Sequence, residues 1–347
     1  MAFTTAFNTL SSIAAGGSVA AIGASSNAQC RFSNIVLDSL FNPTTPAFWV
    51  VNLVGLMVLG LLFRWAFPRL LALRGITYVP KTMFGKALIF DSQDADGTPI
   101  RLLNVNNAFQ SVSYIDKDLR FELACMYHRN FALLVKKYMR VMRGVQADAT
   151  AEGNTADPNA KIAPTRCVVI GGGGYSFPKY LVAHHKNIQV FAIEIDPAIT
   201  ELAKKHFFLD DLIDRYDTER NGRLQLCCVD GWQWLRDSGE KFDLIVNDAF
   251  AGKRPLGPLG TLEGAKLIHE HLCEHGLYIA NIISVLEGRR SEHLYEALAT
   301  FEQVFAHVYM IAEYPEDPKR GGCNVMVASD ADLSSQFGIQ DLLSASL

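Results

Sequence analysis

The sequence predicts an α/β protein. Its main domain is a doubly wound, mostly parallel sheet, preceded by a small antiparallel β unit and one long apolar helix. Three observations predict this. After Pro164 the chain alternates short apolar strands with helix-length segments, which is the pattern of a parallel sheet covered on both faces. Residues 76–117 break into short alternating runs with turn residues between them, as in a small antiparallel sheet. Residues 47–63, AFWVVNLVGLMVLGLLF, carry no charge.

Taken in order, residues 1–30 also hold no charged side chain and are rich in Ala, Ser, Gly and Thr. They lack the basic start and strong apolar centre of a secretory signal. A poorly ordered extension over 1–45 is expected, with a second membrane span as the alternative. A transmembrane helix is expected over 46–68, where Trp65, Ala66 and Phe67 continue the run past Arg64. About 20 helical residues cross a hydrocarbon core of about 30 Å; a buried core helix is the alternative. Arg64, Arg69, Arg74 and Lys81 follow the run, while Arg31 stands before it with Asp38 nearby. That asymmetry predicts a single pass through the cell membrane with the following domain in the cytoplasm.

Residues 75–143 are expected to form the small β domain and one helix. The runs KALIF, RLLNV and QSVSYI supply strands, with a turn at Asp94–Gly97, and the helix is expected from Asp118 to Met142. Residues 144–163 read as a linker of Ala, Asp, Asn, Gly and Thr. The main domain fills 164–347. Its strands are CVVIG (167–171), QVFAIE (189–194), LQLCCV (224–229), FDLIVN (242–247) and LYIANII (277–283), with helices starting at 176, 197, 231 and 261. HVYMIAEY (307–314) and CNVMVAS (323–329) close it. A net charge of -4 with no dense Lys/Arg run argues against nucleic acid as partner. The seven scattered cysteines have no zinc-ribbon spacing and read as reduced, small apolar residues.

The chemistry starts at Gly171, Gly172, Gly173 and Gly174, between strand CVVIG and a helix. Glycines there let a backbone approach a nucleotide and turn tightly. Glu194 ends the next strand, twenty residues after Gly174, where a carboxylate accepts hydrogen bonds from both ribose hydroxyls. Tyr175, Ser176 and Phe177 follow the glycines. The third glycine of a pyrophosphate-binding turn is therefore missing, and an adenosyl cofactor without phosphates fits better. Asp230 and Gly231 end the third strand and could read an adenine edge; Asp230 also stands where a helix N-cap belongs, and the two roles are compatible. Asp248 ends the fourth strand, eighteen residues after Asp230. Ligands of such folds lie beyond the carboxyl ends of the strands, so Asp248 would face a sulfonium or take a proton; a loop-start N-cap is the alternative.

GGGGYSFPKYL, VFAIEIDPAI, VDGWQWL, FDLIVNDAF and YIANIIS resemble the core of the spermidine synthase (polyamine aminopropyltransferase) family, in its membrane-fused bacterial branch. The resemblance covers about residues 76 to 330 and includes LLNVNNAFQS. It implies a class I S-adenosylmethionine-dependent methyltransferase-like Rossmann fold. It further implies S-adenosylmethionine or its decarboxylated form as donor, no metal, and a small acceptor such as a polyamine. By resemblance, Gln110 touches the thioadenosine, Glu194 holds the ribose, Asp230 and Gly231 hold the adenine, and Pro255 packs on it. Asp248 becomes the catalytic proton acceptor. Tyr127 and His128 border the amine pocket, with Arg129 in place of a Glu, and Tyr314, ahead of Pro315, lines the amine side. Val327-Ala328-Ser329 resembles the family's final strand.

Two departures bear on the reaction. The family has an Asp where this chain has Gly174, and a second Asp where it has Ala251; these grip the donor's amine and the diamine. A charge-assisted hydrogen bond contributes about 1.5–3 kcal/mol. Their loss predicts weakened amine recognition unless Glu122, Glu313 or Glu316 substitutes, and Gly174 is expected to leave room for the carboxylate of S-adenosylmethionine. The leading expectation is a spermidine synthase-like transferase with an altered amine pocket. The alternatives are a methyltransferase, and a membrane-tethered adenosyl-nucleotide-binding protein with little turnover. A homo-oligomer is compatible with the sequence and not specified by it. The run His269-Glu270-His271-Leu272-Cys273-Glu274-His275 has the composition of a metal site, but on a helix no single face collects three ligands. Gly276 is expected to stop that helix. Trp232, Trp234, Phe207 and Phe208 are read as packing around the sheet.

Overall fold

The computed structural model describes residues 42–152, 163–251 and 254–333, with side chains for all of these except 144–152, 251 and 254–255. Most of the extension expected over 1–45 and the second half of the expected linker lie outside the described residues. The chain divides into two compact units, 1–70 and 71–347.

Helix α1 runs Pro46–Ala72, all but its last two residues in the first unit, and buries none of its residues. It extends four residues past the expected end. It is long and apolar enough to cross a membrane. Its one strongly polar side chain in the apolar run, Asn52, donates to the Phe48 carbonyl at 2.8 Å and so is satisfied within the helix. Arg69 lies over the Trp65 ring at 3.8 Å.

The second unit opens with an antiparallel meander: β1 (Thr77–Thr82), β2 (Gly85–Gln93), β3 (Pro99–Val105) and β4 (Ala108–Tyr114). Alternation puts Ala87, Ile89, Leu103 and Val105 into the main core. The meander is tied to the following domain by the Met83 N–H, which donates to Asp196 Oδ2 at 2.6 Å, and by Ser176 Oγ, which donates to the Val112 carbonyl at 2.8 Å.

Helix α2 spans Met126–Glu152, which corrects two expectations. It starts eight residues later than Asp118 because Asp116 organises a turn: its Oδ1 accepts the Asp118 N–H at 2.8 Å, and its carbonyl accepts the Leu119 N–H at 3.2 Å. It also continues nine residues into the segment assigned to a linker, where Gln146, Ala147, Ala149 and Ala151 are adequate helix formers.

The main domain runs β5 (Thr165–Ile170), α3 (Ser176–His184), β6 (Ile188–Glu194), α4 (Pro197–His206), α5 (Leu209–Tyr216), α6 (Thr218–Asn221), β7 (Leu224–Cys228), α7 (Gly231–Ser238) and β8 (Phe242–Asn247). A two-stranded hairpin follows, β9 (Phe250–Ala251) and β10 (Arg254–Pro255), then α8 (Leu262–His271), β11 (Leu272–Ser284), α9 (Glu292–Phe301), β12 (His307–Ile311) and β13 (Gly322–Ser329). The seven-stranded sheet has the order β12-β13-β11-β8-β5-β6-β7. Strands β11, β8, β5, β6 and β7 are parallel, and β13 enters reversed between β11 and β12. Along β5, Cys167 and Val169 face one packed layer while Val168 and Ile170 face the other, as a strand covered on both sides requires.

Helix α8 ends at His271, not near Gly276, and the chain passes directly into β11. The histidines therefore diverge. His269 pairs with Asp330 at 2.7 Å, while His271 Nδ1 faces the Leu267 carbonyl at 2.8 Å. Phe207 is fully buried and Trp232 and Trp234 pack on the core.

Candidate functional site

Strand order reverses between β5, which leads on to β6 and β7, and β8, which leads on to β11. Such switch points open a crevice beyond the carboxyl ends of the strands. The glycine turn leaves β5 on one side of it and Asp248 leaves β8 on the other.

The glycines are there for contact. Gly171 has φ +100°, and a Cβ on it would stand 2.7 Å from the Asp248 carbonyl. A Cβ on Gly172 would stand 2.7 Å from the Tyr175 ring. Tyr175 itself adopts a left-handed conformation at the start of α3, and its buried hydroxyl meets Thr200 Oγ1 at 2.8 Å. Beside Gly174 the space is already filled: its Cβ would lie 2.6 Å from Ser111 Oγ and 3.1 Å from Phe207. A side chain at position 174 would therefore meet packed atoms rather than open space. Beneath it, fully buried Lys179 donates to Ser113 Oγ at 3.2 Å and to the Phe207 carbonyl, and burial pushes its amine down to about 7.

Glu194 binds the turn to β6. Its Oε2 accepts the N–H groups of Gly172 and Gly173, both at 3.0 Å, and its Oε1 accepts the Asp196 N–H at 2.9 Å. The carboxylate thus shapes the loop. Gln110 is exposed on β4, with its carbonyl beside Gly173. Asp230 caps α7 by accepting the Gln233 N–H at 3.0 Å. Gly231 passes close to Ile170, whose Cγ2 would be 2.5 Å from an added Cβ. Pro255 lies in β10, paired with Phe250 across the hairpin that follows Asp248.

Asp248 gathers most of the remaining polar groups. Its Oδ2 accepts from Tyr127 Oη at 3.1 Å and meets His128 Nε2 at 2.8 Å; its Oδ1 accepts from Asn281 Nδ2 at 3.1 Å. Burial, and then the Asp248 charge, hold the Tyr127 phenol well above its ordinary range, so it remains a donor. The His128 ring lies parallel to Phe177 at 5.7 Å. Asn247, fully buried, sets the turn by donating to Tyr278 Oη at 3.1 Å and accepting the Ala249 N–H at 3.2 Å.

Sequence reasoning missed Asn281, Cys125, Cys323 and the position of Glu313. Asn281 is 2% exposed and its Oδ1 is buried without a partner; the signal was a lone amide inside an apolar strand. Burial pushes the Cys125 and Cys323 thiols up to about 12, with Asp248 and Glu313 both adding to the shift. The two carboxylates therefore flank the same pair of thiols. Glu313 Oε2 accepts the Cys323 N–H at 2.6 Å. Tyr314 lies under Arg320, at 3.6 Å from ring centroid to guanidinium carbon. Glu122 pairs instead with His184 at 2.9 Å. That is the far end of α3 from the glycine turn, about 12 Å along the helix, so Glu122 is no substitute in the crevice.

The family model described as "Spermine/spermidine synthase domain" matches residues 155–335. A polyamine aminopropyltransferase of Thermococcus kodakarensis is 31% identical over 160 residues, 44% of this chain and 52% of that protein. One of Vibrio vulnificus is 26% identical over 181 residues, 51% and 54% of the two chains. The chain thus spans about half the length of the curated relatives it matches. A probable spermidine synthase from Corynebacterium glutamicum superposes with TM-score 0.52 at 20% identity, covering 74% of this chain and 80% of that one. A spermidine synthase in complex with the transition state analogue AdoDATO gives 0.53 at 18% identity, covering 76% of each. Likeness at these identities establishes the fold.

Proposed function

From the premise that this chain belongs to the spermine/spermidine synthase family, we propose that it is a transferase moving an alkyl group from an adenosyl sulfonium to a small amine acceptor, through an altered amine pocket. The observation that carries this reading is Asp248, held by Tyr127, His128 and Asn281 at the switch point. The acceptor nitrogen's lone pair attacks the carbon on sulfur. The carbon–sulfur bond breaks with its electrons passing to sulfur, which leaves as a neutral thioether. The nitrogen, now cationic, loses its proton to Asp248. Glu194 accepts from the ribose hydroxyls with the lone pairs that its contacts to the loop leave over. Gln110, Asp230, Gly231 and Pro255 complete the nucleoside wall, and Tyr127, His128 and Tyr314 border the acceptor.

Gly174 and Ala251 supply no anion, so selectivity for the decarboxylated donor rests on little. The protein should bind S-adenosylmethionine and its decarboxylated form with similar affinity. Calorimetric titration with both donors and with methylthioadenosine tests this. Formation of spermidine from putrescine at about 1–1000 per second would overturn the altered pocket. Methyl transfer is the second reading, favoured by Gly174. For α1, the reading is a single membrane span with residues after 70 in the cytoplasm. Protease added to sealed, right-side-out cells should leave the main domain intact, and rapid digestion from outside would end that assignment.

A further inference from the structure

A second cavity lies away from the crevice, between α2 and the end of α3. Its volume is about 600 Å³, within the usual range for small-ligand pockets of about 300–1000 Å³. Lys136, Arg140 and Arg143 line it from α2, and Tyr180, His184 and His185 line it from α3 and its C-cap. Spacings of four and three residues put the three α2 cations on one helix face. Among the described residues the cavity's lining contains no carboxylate. Among the described residues no ion pair includes Lys136, Arg140 or Arg143; the nearby Glu122 is engaged with His184.

A fourth cation lies next to His185. Arg223 Nη2 donates to the Val182 and His185 carbonyls at 2.6 and 2.5 Å. His185 Nε2 and Arg223 Nε are both buried without a partner, although buried polar atoms are normally paired. Burial first, and then His184, Arg143, Lys136 and Arg223, push the His185 imidazole down to about 4. Positive charge therefore converges on one ring from α2, from α3 and from the segment before β7. Guanidinium forks and an ammonium around one concavity, with no acceptor among them, match the geometry of phosphate oxygens.

We propose that this groove is a binding site for a small phosphate-bearing anion of at least two negative charges, separate from the transfer crevice. The anion's oxygens accept from Lys136, Arg140 and Arg143. It is either a free phosphate compound or the headgroup of an anionic lipid, and the two sources share this recognition chemistry.

The test uses the full chain in a nonionic detergent. Pyrophosphate and, separately, dihexanoyl phosphatidic acid are titrated calorimetrically, with and without saturating methylthioadenosine. At least one probe should bind saturably and survive methylthioadenosine. Pyrophosphate alone would assign a free ligand, and phosphatidic acid alone a headgroup. Arg140 and Arg143 are exposed, so the R140Q/R143Q double variant should keep its melting temperature while losing about tenfold or more in affinity per arginine. His185→Phe keeps a ring in place and should also weaken binding. Three results would overturn the proposal: no saturation by either probe below about 10 mM, weaker than the affinities such sites reach; unchanged affinity in the double variant; or displacement by methylthioadenosine, which would place the ligand in the crevice.

Discussion

The two halves of the crevice are assembled differently. On the side proposed for the donor, the centre is one continuous stretch, the turn after β5 and the tip of β6, with Glu194 bonded to N–H groups 21 and 22 residues earlier. The side proposed for the acceptor comes from distant segments. Tyr127 and His128 meet Asp248 across 121 and 120 residues, and Asn281 meets it across 33. A half made by one strand–turn–helix–strand unit is fixed by local backbone geometry, so few residue types satisfy it. A half made by tertiary convergence can exchange side chains one at a time while the frame stands. By the resemblance, Arg129 and Ala251 depart from the family there or at its edge. Gly174 departs in the donor half, and packing by Ser111 and Phe207 has closed around it.

The largest test of this division is Asp248→Asn. Turnover should fall about 10²–10⁴-fold, the usual contribution of a positioned proton acceptor, while methylthioadenosine affinity stays nearly constant. Equal losses in both would mean the halves are not separable. Next, Glu194→Ala should weaken methylthioadenosine binding roughly ten- to more than hundredfold, from about 1.5–3 kcal/mol of charged hydrogen bonding. Because three loop N–H groups also lose their acceptor, its melting temperature should drop too, which a residue facing only ligand would not cause. Gly174→Asp, which reinstates the family's carboxylate, should destabilise the fold by about 1–3 kcal/mol through overpacking, read by urea denaturation. Adding Ser111→Gly should recover part of that loss; full stability in the single variant would show that the loop yields freely. The smallest effect is expected from Glu313→Gln: a few-fold rise in acceptor KM with donor affinity unchanged, since removing one partly exposed charge contact is worth about 1 kcal/mol or less.

This same division decides what the sequence reveals. The glycine turn, Glu194, Asp230 and Asp248 were legible because each stands at a strand end that apolar periodicity marks. The helix starts at Ser176, Pro197 and Gly231 were legible for the same reason, and the one expected at 261 begins at Leu262, with Thr261 as its cap. The start of α2 was not, because the Asp116 turn competes locally with helix and the apolar residues Phe121 and Leu123 serve the core without helical spacing. Its extension to Glu152 was not, because a composition of Ala, Asp and Thr suits linker and helix alike. Asn281 and Glu313 carry no local sign of their neighbours. Which carboxylate faces a thiol on another strand is a property of sheet order, and no spacing rule along the chain encodes it.

The reversed strand β13 also orders the birth of the molecule. It pairs with β11 along seven registered positions, from Tyr278↔Ala328 to Ser284↔Gly322, yet β11 leaves the ribosome some forty residues earlier. Until β13 arrives, a nascent chain holding β5 to β11 presents the apolar rim Ile279–Ile283 with open backbone donors and acceptors. Such an edge invites pairing with another chain. A stalled product ending before residue 320 should aggregate through β11 where the longer chain does not.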